Sequence, residues 1–95
     1  MEPESLPPTR YRIILRPAAT RFLEKLRDAK LGKRLEDALD RLAVQPRPPL
    51  AKLLSQKEDI WRIRVGDYRI LYQIDDAERW LRIAEIGHRR EVYRD

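Results

Sequence analysis

The residues able to do chemistry gather in two stretches. The first, Trp61-Arg62-Ile63-Arg64-Val65-Gly66-Asp67-Tyr68-Arg69-Ile70-Leu71-Tyr72, sets three arginines among apolar and aromatic positions. The second, Gly87-His88-Arg89-Arg90-Glu91-Val92-Tyr93-Arg94, holds the only histidine of the chain, further arginines and a tyrosine. A guanidinium presents a fork of N–H donors that fits phosphate and stays charged at any working pH, so these residues suit the gripping of a polyanion. His88 is the one side chain here whose ordinary pKa lies near neutrality. Tyr93 can stack on a base or donate its hydroxyl.

The register of the first stretch follows from its turn. If Gly66-Asp67 is the whole loop, with Gly first as a type II′ turn prefers, Val65 faces Tyr68, Arg64 faces Arg69, Ile63 faces Ile70, Arg62 faces Leu71 and Trp61 faces Tyr72. Alternation then puts Trp61, Ile63, Val65, Tyr68, Ile70 and Tyr72 on one side and Arg62, Arg64 and Arg69 on the other. Like charges in a cross-strand pair are unfavourable, on the ~0.2–1 kcal/mol scale of such pairs. An exposed face that opposes Arg64 and Arg69 makes sense if an anion lies between them. The plain alternative is that the arginines extend into solvent or pair with Asp67, Glu85 or Glu91.

These stretches need a scaffold. Residues 1–10 are proline-rich and short of apolar side chains, which predicts a flexible arm, leaving 11–95 as one domain. Tyr11–Leu15 reads as a strand. Pro17 suits a first helical position, and Ala19, Phe22, Leu23, Leu26 and Ala29 recur at helical spacing. A second helical run carries Leu31, Leu35, Ala38, Leu39, Leu42 and Ala43 and closes at Pro46, Pro48 and Pro49; the link between the two falls around Ala29–Gly32. Residues 50–59 read as a connection, followed by strands over 60–65, 68–74 and 80–87. The expected fold is α+β: an N-terminal strand, an antiparallel helix hairpin, then a three-stranded antiparallel meander with the helices on one sheet face.

Composition limits the function classes. Ninety-five residues with a formal charge of +5 make one small basic domain. The absence of cysteine excludes disulfides, thiolate metal sites and a Cys nucleophile, and a single histidine excludes multi-His metal sites. No apolar run approaches a membrane span and no signal peptide is visible, so the cytoplasm is the expected compartment. Arginine far outnumbers lysine, but a GC-rich genome also writes arginine, and acids nearly balance arginines over 60–95. Placement carries the argument, not bulk charge.

The order of elements, Lys52-Leu53, the R-I-R-V-G-D-Y-R block and the G-H-R-R-E-V-Y block together resemble the RelE branch of the RelE/ParE toxin superfamily, from about Tyr11 to Arg94. The resemblance implies the toxin of a type II toxin–antitoxin pair. Such a toxin is a metal-independent endoribonuclease without a cofactor that cuts mRNA in the ribosomal A site, by attack of the 2′-hydroxyl on the adjacent phosphate. It also implies an acidic, partly disordered antitoxin as partner, and contact with operator DNA only through that antitoxin.

By the same resemblance Arg62 and Arg64 stand where relatives often carry lysines, and Arg69 stabilises charge on the scissile phosphate. Arg89, with His88, protonates the leaving oxygen, and Tyr93 orients the substrate. Lys52, Arg90 and Arg94 add RNA-binding charge. Arg62 replaces a lysine proposed as base and is a poor proton acceptor, which makes His88 the better candidate for proton transfer, with Glu58 or Asp59 as conceivable helpers. Two alternatives compete: a ParE-like inhibitor of DNA gyrase, and a non-catalytic corepressor that only binds antitoxin.

Overall fold

The structure, a computed structural model, describes residues 10–88. Its elements are β1 (Arg12–Leu15), α1 (Pro17–Lys25), α2 (Ala29–Val44), β2 (Lys52–Ser55), β3 (Ile60–Val65), β4 (Tyr68–Asp75) and β5 (Trp80–His88). The strands form one sheet in the order β1-β5-β4-β3-β2, antiparallel except for the β1–β5 pair. Helix α1 lies over β5 and β1, and α2 over β1 and β3. The α+β expectation with helices on one face holds. The meander has one strand more than expected, because part of the segment read as a connection pairs with β3 as β2.

Each helix boundary has a local cause. Pro17 opens α1, where its missing N–H breaks no bond, and the extended Arg16 before it donates its own N–H to Ile83 O at 3.0 Å. The link between helices lies at residues 26–28, earlier than the sequence suggested. Asp28 caps α2 by accepting the Leu31 N–H at 3.0 Å, which draws Ala29–Gly32 into the first turn. Ala29 is accordingly exposed, not core. The buried positions of α2 are Leu31, Leu35, Ala38, Leu39, Leu42 and Ala43, the set its periodicity defines.

Sheet and helices meet in one core. Ile63, Val65, Ile70, Tyr72 and Ile74 pack with Leu81, Ile83 and Ile86 beneath the helical leucines. Strand β4 alternates without interruption, but β5 carries a bulge opposite Leu71 and Tyr72, where the register passes from Glu85 to Ile83 and leaves Ala84 unmatched. Without that extra residue, alternation from Leu81 and Ile83 would drive Glu85 into the core in place of Ile86. The bulge keeps all three apolar side chains inside and the carboxylate outside.

The β2–β3 and β4–β5 turns are built alike. Ser55 Oγ accepts the Glu58 N–H at 3.1 Å and Asp75 Oδ1 accepts the Glu78 N–H at 2.8 Å. Both turns end in a left-handed residue, Asp59 (φ 57°) and Arg79 (φ 61°).

Candidate RNA-binding face

The face of the sheet turned away from the helices is set by the Gly66-Asp67 turn. Gly66 has φ +63° while Asp67 does not take a positive φ, as a type II′ turn requires. The register is the one this loop dictates: Val65↔Tyr68, Arg64↔Arg69, Ile63↔Ile70, Arg62↔Leu71 and Trp61↔Tyr72. Since Ile63, Val65, Ile70 and Tyr72 belong to the core under the helices, Arg62, Arg64 and Arg69 stand on the opposite face.

Their neighbours extend the pattern. Lys52 of β2 pairs with Arg62, so the sequence-predicted lysine joins the same face. On the other side, Arg69 is opposite Gly87, which offers no side chain beside the guanidinium. Strands β2 to β4 thus bring Lys52, Arg62, Arg64 and Arg69 together on one face.

Depth differs from expectation. Arg64 is exposed, as the sequence suggested for all three, but Arg62 and Arg69 retain only 5% and 6% of their accessible surface. Alternation assigns a side chain to a face and says nothing of how far that face is covered. A cation held out of bulk water interacts with an anion more strongly than one on an open surface, since the effective dielectric is lower.

The facing of His88 also differs from expectation. It pairs with Tyr68, whose side chain lies on the helix side against Phe22 with ring centroids 5.8 Å apart. The imidazole meets Tyr68 edge-on at 5.5 Å. The strand therefore places His88 on the helix side of the sheet, the face opposite that of Arg64 and Arg69. The β5 bulge is the reason: the phase of β5 beyond it is not the one that simple alternation gives. Arg89, Arg90, Tyr93 and Arg94 lie outside the described residues.

One contributor escaped the sequence reading. Arg34 of α2 lays its guanidinium against the turn: a Cβ on Gly66 would sit 3.1 Å from Arg34 Nη1. Nothing local in α2 announces this, as the contact spans the molecule from helix to hairpin.

A second charged cluster sits at the far end of β4. Arg47 holds Asp76 through both carboxylate oxygens, at 3.3 and 2.9 Å, and Tyr11 Oη donates to Asp76 Oδ1 at 2.6 Å. The Arg47 guanidinium also lies 5.4 Å from the Trp61 ring centre. Arg47 and then Tyr11 hold the Asp76 carboxyl below the usual carboxylate range by hydrogen bonding to its charged form. Tyr72, fully buried, donates to Pro46 O at 2.6 Å, and burial pushes its phenol far above the ordinary value. This cluster ties residues 45–48 to the sheet. Among the described residues no group of three or more His, Cys, Asp or Glu could hold a metal ion, and no helix is long and apolar enough to cross a membrane.

Comparison with known proteins agrees with this geometry. A profile of the ParE toxin family of type II toxin–antitoxin systems (parDE) matches residues 13–93. Toxin RelG of Mycobacterium tuberculosis is 31% identical over 84 residues, covering 88% of this chain and 97% of the relative. Among solved structures, the toxin–antitoxin complex RelBE2 of M. tuberculosis aligns with a TM-score of 0.69 at 31% identity, over 84% of this chain and 99% of that one. The archaeal RelE–RelB complex of Pyrococcus horikoshii OT3 aligns with a TM-score of 0.72 at 25% identity, over 84% of this chain and 96% of that one.

Proposed function

The chain belongs to the RelE/ParE superfamily of type II toxin–antitoxin toxins, on its RelE side, and on that premise we propose that it is an mRNA endonuclease acting in the ribosomal A site. The observation that carries this reading is Arg64 directly opposite Arg69 on a sheet face that also holds Arg62 and Lys52. A like-charged cross-strand pair is a cost to the fold that phosphate converts into affinity.

The substrate is an RNA sugar-phosphate linkage. The 2′-oxygen attacks the adjacent phosphorus, the bond from phosphorus to the 5′-oxygen breaks, and the products are a 2′,3′-cyclic phosphate and a 5′-hydroxyl. One proton leaves the 2′-oxygen and one reaches the 5′-oxygen. Arg69 and Arg64 stabilise the extra negative charge on phosphorus-bound oxygens as it develops, the role in which preorganised cations are most effective. Arg62 remains a fixed cation and accepts no proton. With His88 directed to the other face, the 2′-hydroxyl proton passes to water or to a substrate oxygen, and catalysis is mainly electrostatic and positional. Family likeness assigns leaving-group protonation to Arg89 and substrate orientation to Tyr93. Lys52, Arg90 and Arg94 add RNA-binding charge.

The partner is a cognate antitoxin; the solved relatives of M. tuberculosis and P. horikoshii are both toxin–antitoxin complexes. Primer extension on an mRNA incubated with the chain, with and without translating ribosomes, tests the reading. Cuts confined to the A-site codon of the translated sample are expected. No cuts, together with loss of supercoiling in a gyrase assay, would instead support a ParE-like gyrase inhibitor. Neither effect would leave the corepressor.

A further inference from the structure

The sheet face that carries the arginines does not end with them. Along β4, alternation from Arg69 continues through Leu71, Gln73 and Asp75, since Ile70, Tyr72 and Ile74 belong to the core. Gln73 pairs with Arg82 and Asp75 with Trp80, while β1 sets Arg12 against Trp80 and Ile14 against Arg82. Leu81 and Ile83 are core residues, so Trp80, Arg82, Arg12 and Ile14 stand on the arginine side of the sheet. Strand rise and strand spacing place Arg82 about 14 Å from Arg69, along β4 to Gln73 and one strand across.

The Arg82 guanidinium lies over the Trp80 ring, 4.7 Å from its centre. Two other arginine–aromatic stacks, Arg47 on Trp61 and Arg79 on Tyr11, belong to the Asp76 cluster, whose carboxylate is bonded to Arg47 and Tyr11. The Arg82–Trp80 stack has no such acid. Asp75 turns its Oδ1 to the Glu78 N–H at 2.8 Å, and Glu85 borders a groove beside α1 with Arg21 and Lys25. Gln73 reaches the other way, donating to Glu58 O at 3.0 Å. No ion pair joins Arg82 or Arg12 to a described acid. Trp80 and Arg82 are half-buried, and Arg12 and Ile14 are exposed. The residues of β4 between this corner and Arg69 on the same face, Leu71 and Gln73, carry no charge.

We propose that the Arg82–Trp80 stack is a second RNA subsite, which takes an unpaired base of the strand being cut, outside the linkage held at Arg64 and Arg69. The base stacks on the plane of the Arg82 guanidinium, which Trp80 backs, and Arg12 receives the adjoining phosphate. Any base offers a π-face, so the subsite adds affinity and little sequence preference. It holds ground state and transition state alike and therefore sets how readily the strand is engaged, whereas the charge at Arg69 sets the rate of the chemical step.

The inference rests on the reading of the chain as an mRNA endonuclease. The test is single-turnover cleavage on programmed ribosomes at rising concentrations of the parent chain, Trp80→Ala and Arg82→Ala. The half-saturating concentration should rise about 5–100-fold in each variant, the range of one lost base stack, with the loss falling there rather than on the plateau rate. Arg82→Lys, which keeps the charge without the plane and leaves Trp80 in place, should repeat the loss even if Trp80→Ala unfolds. A second series places an abasic nucleotide at each mRNA position around the A-site codon. One position, within about four nucleotides of the cut, should cost the parent a similar factor and cost Arg82→Lys nothing further. A stack that served only to stabilise the fold would not produce that coupling. Half-saturation at the parent's concentration in every variant overturns the proposal, and so does a shift that no mRNA position shares, as when ribosomal RNA fills the stack. In both cases the parent still cuts; a parent that cuts nothing overturns the endonuclease reading as well.

Discussion

The two ends of β4 use arginine in opposite ways. Beyond Asp75, Arg47 meets the Asp76 carboxylate through two hydrogen bonds, covers Trp61 and shares its partner with Tyr11. Near Tyr68, Arg69 looks across the ladder at Arg64. An arginine faces an opposite charge beyond one end of β4 and another arginine across the ladder near the other. Where the chain needs only to hold itself together it pairs opposite charges; on the proposed RNA face it sets two arginines directly across a ladder. The helix-side face makes the same point with apolar side chains, since Ile63, Val65, Ile70 and Tyr72 on it are buried in the core.

Substitutions at both ends sharpen that contrast. Tyr72→Ala, on the stabilising side, should cost about 3–5 kcal/mol as a buried aromatic truncation, read as a fall in urea midpoint. Gly66→Ala should cost about 1–2 kcal/mol, because φ +63° is the left-handed region that a Cβ disfavours, and the same unfolding curve reads it. Arg64→Thr should change sign: relief of the opposed pair stabilises the free chain by roughly 0.2–1 kcal/mol while lowering cleavage. A destabilised Arg64→Thr would mean that the two arginines are not in conflict.

The smallest effect concerns pH at the matched end. Asp76 has a depressed folded pKa, so its contribution is present above the unfolded carboxylate value, near pH ~4, and is lost as pH falls through the lower folded value. Thermal melts between pH 6 and pH 2 should show that loss in the parent chain and a shallower one in Asp76→Asn. Exposure of the pair keeps the difference small.

What could be read in the sequence was what short-range geometry determines. A two-residue loop with Gly first dictates its own register, so every pair from Val65↔Tyr68 to Trp61↔Tyr72 was legible. So was the buried stripe of α2, because helical spacing alone selects it. The features that escaped depend on contacts between distant segments. Lys52–Ser55 is short, bulges at Leu54 and lacks alternation, so only its pairing with β3 makes it a strand. The β5 bulge is invisible until β4 is laid beside it, and with it goes the facing of His88. Trp61, assigned correctly to the apolar face, is only half-buried, because an edge strand flanks it and Arg47 supplies part of its cover. For the site, face membership of Arg62, Arg64 and Arg69 was legible; that of Lys52, which needs the β2–β3 pairing, and the burial of Arg62 and Arg69, which depends on tertiary cover, were not.

The most direct test of the central claim is the single-turnover rate at which Arg69→Ala cuts mRNA held in the A site of programmed ribosomes, beside the parent chain. Loss of a preorganised charge partner at a developing oxyanion should slow cleavage about 10²–10³-fold. A variant that cuts at the parent rate, or a parent that cuts nothing, would contradict the assignment of this face to RNA.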